Sequence, residues 1–293
     1  MAGFTLPTNP RLLAHGAACA KIAWLAVLSG LMMSWTHPED RADPMLLERC
    51  TWQEVEGYLE GSTGILLPVG STEQHGPNGL IGTDAICAEL VARGVGEATG
   101  AMVAPTLNFG MAQHHMAFRG TMTLRPHTLL AVLVDLLNSL AQHGFERCLV
   151  INGHGGNMAT IMAAFSELHA AASLNVENRT SRLRCRMRNW WGSPAVTELQ
   201  RELFGEHDGS HATASEISLT QYACPESIKK VAMSPPLAPP SSGFTDAADF
   251  RRRYPDGRIG SDPSLADPTH GERLYHAAVA ALSEDYRKFL AEP

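Results

Sequence analysis

Residues 65–85 read ILLPVGSTEQHGPNGLIGTDA. The first five form an unbroken apolar run that stops at Gly70, the pattern of a strand buried on both faces. The polar stretch behind it carries Glu73, His75 and Asp84 on a backbone punctuated by glycine and proline. Residues 148–157, CLVINGHGGN, repeat the arrangement, with His154 framed by three glycines. Strands that end in such turns predict an α/β protein whose chemistry lies beyond the carboxyl ends of its strands.

The segments around these two strands support that reading. Thr51 to Leu59 reads as a short helix, with Thr51 and Glu54 at capping-box spacing. Residues 84–97 are helical in pattern, with Asp84 placed as an N-cap, and residues 102–105 read as a strand. In residues 126–143, Leu129, Leu130, Leu133, Leu136, Leu137 and Leu140 recur at helical spacing. Residues 158–172, 215–222 and 271–290 also read as helices, and 234–270, rich in Pro, Gly and Asp, as loop. Arg182, Arg184, Arg186 and Arg188 alternate with Leu183, Cys185 and Met187, which predicts a strand near the sheet edge with a solvated basic face. Strands alternating with helices give an α/β sandwich around a mostly parallel sheet.

Composition narrows the function classes. With 44% hydrophobic and 18% charged residues in 293, the chain can bury a sizeable core, which excludes disorder. A net charge of −7 makes nucleic acid a poor partner. Six scattered cysteines without a C-x-x-C pair exclude a disulfide scaffold and a thiolate zinc knuckle. Residues 1–44 read differently from the rest: Lys21 precedes a 14-residue apolar run, Ile22 to Trp35. That run is short for a membrane span and lacks a small-x-small cleavage site. A signal or anchor, a packing helix and an upstream start-site artefact compete. The last is favoured, with the domain running from Met45 to Pro293 and a cytoplasmic location. Export or membrane association follows if the segment is a genuine signal or anchor.

Four polar clusters carry the candidate chemistry. Glu73 and His75 are two apart, so on extended chain they point the same way. A mixed Glu/His/Asp set suits zinc, manganese or iron better than calcium. His154 sits in a glycine frame with no packing purpose of its own. The stretch HDGSHATASEIS brings Asp208, His211 and Glu216, with Glu216 about one turn into a helix. His207 and His211 also form an i, i+4 pair. Of the adjacent His114 and His115, at most one faces a common site.

Taken together, residues 67–85, 114–124, 143–157, 211–218 and 259–274 resemble, in order, the creatininase (creatinine amidohydrolase) family, in its NGHGGN-type branch. The resemblance implies a three-layer α/β/α fold, a homohexamer, and a hydrolase of non-peptide C–N bonds using two divalent metal ions, Zn²⁺ or Mn²⁺ with Fe²⁺ as a third choice. It implies Glu73 and His75 as ligands of different metals, Asp84 as the bridging carboxylate and His154 as the ligand completing the first site. His211 is then the proton-transfer residue, and Asp208 would orient it. Creatinine hydrolases carry a Tyr and a metal-binding Glu where this chain has Gly155 and Gly156, so Glu216 would stand in as the missing ligand. His207 replaces a usual aromatic, Asn78 a usual histidine and Arg119 a usual proline. His115, His207 and Gly155 are therefore expected to line the substrate pocket.

The expected function is hydrolysis of a small-molecule amide, cyclic amide or formamide by a metal-activated water, without a covalent nucleophile. A deformylase or peptidase-like reaction of the same family is the first alternative. A non-catalytic metal-binding homologue is the second, and retention of the whole ligand set argues against it.

Overall fold

The computed structural model describes residues 45–174 and 182–293, all within one compact unit. The reading of residues 1–44 lies outside the described residues.

At the centre are β1 (Gly64–Val69) and β3 (Arg147–Asn152), paired in parallel with Leu66 opposite Leu149 and Val69 opposite Asn152. The short strand β2 (Met102–Val103) flanks β1, and β4 (Arg184–Asn189) flanks β3. The order is β2-β1-β3-β4 and every pairing is parallel. Parallel sheets need cover on both faces, which is why β1 is an unbroken apolar run and buried throughout.

Alternation of side chains assigns the faces. Leu66, Leu149 and Ile151 pack against α2 (Thr83–Thr99), α5 (Pro194–Phe204), α6 (Ala214–Ala223) and α8 (Pro268–Ala291) through residues such as Val91, Phe204, Leu219 and Leu282. On the other face, Ile65, Leu67, Cys148 and Val150 meet α3 (Pro126–Gln142) and α4 (Met158–Leu174). The short α1 (Trp52–Leu59) joins this layer through half-buried Val55 and Tyr58. The result is a three-layer α/β/α sandwich. Leu129, Leu133 and Leu137 of α3 are fully buried, each contributing roughly 1.5–3 kcal/mol of transfer free energy.

Four local expectations need correction. Asp84 is not an N-cap: Gly82 holds that position and Asp84 lies in the first turn of α2, its side chain released for other partners. The 102–105 strand shrinks to two residues. The stretch 234–270 contains α7 (Ala247–Arg253), capped by Asp246 and anchored by buried Phe250. The basic face of β4 is only partly solvated: Arg186 and Arg188 pair with Asp285 of α8, and Arg186 also reaches Glu292 and covers the Phe289 ring.

The turns that leave β1 and β3 converge on the start of α2. A Cβ at Gly153 would overlap the Asp84 carbonyl, so only glycine lets the β3 turn pass this close to the helix. That approach brings His154 beside Asp84.

Candidate metal centre

Two three-residue groups form where these turns meet. Glu73, Asp84 and His154 each offer an atom within 4.8 Å of the others, and so do His75, Asp84 and Glu216. Asp84 belongs to both. Its Oδ1 lies 3.0 Å from His75 Nε2 and its Oδ2 3.1 Å from His154 Nδ1. A third group, Glu73, His75 and His211, overlaps the first two.

Backbone carbonyls orient both imidazoles. His75 Nδ1 is 3.1 Å from the Glu73 carbonyl and His154 Nε2 is 3.0 Å from the Met111 carbonyl. A carbonyl only accepts, so these nitrogens carry protons and the opposite ring nitrogens face Asp84. Glu216 is at the third position of α6, where one oxygen accepts from Thr213 N and the other lies 3.9 Å from His75 Nε2.

The residues fit a metal on geometry and on charge. Both Glu73 oxygens and Asp84 Oδ2 are buried without a hydrogen bond, although imidazole nitrogens stand 3.1–3.2 Å away. Atoms so close yet misaligned for hydrogen bonding aim at shared space. Burial pushes the Glu73 and Glu216 carboxyls up, Glu216 to about 7. Burial alone would lower His75, but Asp84, Glu216 and Glu73 outweigh it and push the ring up to about 10. His154 rises to about 9 because Glu73 and Asp84 likewise outweigh burial. Asp84 moves down despite burial, held by the two imidazoles. Buried carboxylates that recruit protons onto histidines form a site that demands positive charge.

The other candidate residues distribute unevenly. His115 is buried, with Nε2 3.2 Å from Glu73 Oε1, and its ring stacks on His211 at 4.3 Å. His211 approaches the Gln74 carbonyl through Nε2 at 2.9 Å and turns Nδ1 toward Glu73, 3.9 Å away. Asp208 does not orient His211: its two oxygens accept from Ser215 N and Oγ at 2.8 and 2.9 Å, bracing the start of α6. His207 is exposed on a single 3-10 turn and does not line the cleft. Gly155 does line it, as do His114, His115, His154, His211 and Glu216, in a cleft of about 520 Å³.

Sequence reasoning missed four contributors. Trp190 and Trp191, directly after β4, form one wall of the cleft, an aromatic pair at the carboxyl end of a strand that was there to be read. Phe244 lines the mouth and stacks on His114. Its segment is tied down by fully buried Arg258, whose guanidinium donates to the carbonyls of Pro235, Pro236 and Ser261. Gln74 lies between two candidate ligands and touches both His115 and His211.

Comparison with known proteins agrees with this geometry. The family model for creatinine amidohydrolase matches residues 48–286. The creatinine amidohydrolase of Pseudomonas putida is 28% identical over 255 residues, covering 81% of this chain and 94% of the relative. The mycofactocin precursor peptide peptidase of Mycolicibacterium smegmatis is 28% identical over 234 residues, covering 77% and 85%. A solved structure described as "Creatininase Mn" superposes with a TM-score of 0.73 at 25% identity, covering 85% of this chain and all of that one. The chain therefore belongs to the creatinine amidohydrolase (creatininase) family of hydrolases.

Proposed function

We propose that the protein hydrolyses a carbon–nitrogen bond of an amide, cyclic amide or formamide at a centre of two divalent metal ions. The observation that carries this reading is the Asp84 carboxylate, one oxygen turned to His75 and the other to His154. A carboxylate shared by two ligand groups is what a dinuclear centre requires. Glu73 and His154 would hold one ion, His75 and Glu216 the other, and Asp84 both. Carboxylates and imidazoles suit Zn²⁺, Mn²⁺ or Fe²⁺. Such ions, when bound, supply a Lewis acid and a water acidic enough to act near neutral pH.

The chain's own groups do the rest. Burial, with His115 and His75 beside it, pulls His211 well below the usual histidine range, so the ring stays neutral. Its Nδ1 takes a proton from the attacking water and passes it to the departing nitrogen. Trp190, Trp191 and Phe244 give the substrate side of the cleft an aromatic wall.

A second reading, a peptidase-like or deformylase reaction, has an observation of its own. A Cβ at Gly155 would meet nothing within 4 Å, and the cleft of about 520 Å³ exceeds what a small cyclic amide fills. One experiment tests both readings: metal-loaded full chain incubated with creatinine, formamides, lactams and short peptides, following release of amine or acid. Metal content below about one equivalent per chain, with no activity gained on adding Zn²⁺ or Mn²⁺, would sink the enzyme reading.

A further inference from the structure

The Gln74 side chain stands at the meeting point of four polar groups, and two of them are backbone groups that cannot change role. Oε1 accepts from Gly76 N at 2.8 Å, and Nε2 donates to the Gly257 carbonyl at 3.0 Å. A flipped amide would set two donors against each other at Gly76 and two acceptors at Gly257, so the orientation is fixed. Nε2 also lies 2.9 Å from His211 Nε2, but that nitrogen donates to the Gln74 carbonyl, so the second Nε2 proton goes to His115 Nδ1, 2.9 Å away. His115 Nδ1 must accept, which leaves the proton on Nε2, the nitrogen 3.2 Å from Glu73 Oε1. The main chain of the same residue fixes the second histidine. His211 Nε2 lies 2.9 Å from the Gln74 carbonyl, so it carries its proton there and presents a bare Nδ1 to the centre.

We propose that Gln74 is a positioning residue that sets the tautomers of His115 and His211. Its side chain keeps His115 Nε2, beside Glu73, protonated and so out of the metal shell, and its carbonyl keeps His211 Nδ1 free to take a proton. The proposal rests on the dinuclear reading for its consequence, although the tautomers themselves do not depend on it. His115, like His154, is buried with Nε2 3.2 Å from Glu73, but in His154 that nitrogen is held by the Met111 carbonyl and it is Nδ1 that turns to Asp84. What separates the two is the partner behind each ring. His154 has a carbonyl, which takes the Nε2 proton and leaves Nδ1, beside Asp84, as the nitrogen that would ligate once its own proton is displaced. His115 has an amide N–H, which only donates and leaves the facing nitrogen protonated. The Gly257 contact needs glycine twice over: φ is +89°, and a Cβ would overlap the Gln74 amide.

The test is ¹⁵N nuclear magnetic resonance of the zinc-loaded full chain labelled at histidine, with His115→Gln and His211→Gln used only to assign signals. The expected result is a proton on Nε2 and none on Nδ1 for both rings. In Gln74→Glu the carboxylate accepts from His115 Nδ1, so the His115 proton moves to Nδ1 and Nε2 becomes a ligand. The visible spectrum of the Co²⁺-loaded variant should then shift relative to wild type. Gly257→Ala, which displaces the amide without touching its chemistry, should broaden or shift the His115 signals. A wild-type His115 protonated at Nδ1 would overturn the proposal while leaving the dinuclear reading intact. Absence of bound zinc, with the tautomers as expected, would overturn the dinuclear reading instead.

Discussion

His154 and Asp84 meet at 3.1 Å, Nδ1 to Oδ2, while the far nitrogen of the same ring is held 3.0 Å from the Met111 carbonyl. The ring is fixed from behind, so the Asp84 side alone decides what it can bind. Asp84→Ala should therefore lose both metal equivalents, because the carboxylate serves both ligand groups. Glu216→Gln should keep about one of two, since it touches only the group built on His75. Elemental analysis of the two variants after gentle purification checks both, and equal losses would argue against two separable ions.

Metal loading should release protons. The carboxylates push His75 up to about 10 and His154 up to about 9, so both rings are protonated near neutral pH. A ligating imidazole must be neutral, so two bound ions displace about two protons and apparent affinity rises with pH up to about 10. Calorimetric titration in buffers of different ionisation enthalpy counts the protons. A count near zero would mean that the histidines do not ligate.

His211→Ala should retain metal and lose turnover by about 10²- to 10⁴-fold, the usual contribution of a positioned acid or base. The side chain is a cleft residue and hydrogen-bonds a backbone carbonyl, so its removal leaves Asp84, His75 and His154 in place. Metal analysis beside a rate measurement separates the two effects. Unchanged turnover would remove His211 from the chemistry.

Asp208 offers a test on stability. Burial pushes its carboxyl up to about 6, partly opposed by the two Ser215 hydrogen bonds. A carboxyl raised above its unfolded value favours folding fully below about pH 4 and loses that contribution as pH rises through about 6. Asp208→Asn keeps an acceptor for Ser215 N and removes the charge. Relative to wild type it should gain up to about 2 kcal/mol between pH 4 and pH 8. Urea denaturation of both proteins at the two pH values measures the difference, and a constant gap across that range would contradict it.

Legibility in the sequence followed the range of the interactions. β1, β3 and α3 were readable because local burial dictates every residue of an apolar run or a leucine stripe. α7 was not, because seven residues anchored by Phe250 show too little periodicity among prolines and aspartates. The stretches holding Glu73, His75, Asp84 and His154 announced themselves through glycine punctuation after strands. The partner of Asp208 did not, since Ser215 and His211 are both within reach along the chain and only geometry chooses between them. Gln74 was invisible for a plainer reason: its defining contact, Gly257, is 183 residues away.

The pairing of β1 with β3, Val69 opposite Asn152, also bears on how the chain acquires its centre. The two strands are neighbours in space but are separated along the chain by α2, β2 and α3. Closing that span carries an entropic cost before any contact forms, so this pairing belongs to the slower part of folding. Glu73 and His154 face each other only after it has closed, and in no other register. A partly folded chain thus holds no preformed cradle for an ion, and capture of metal would report that the central strands have already docked.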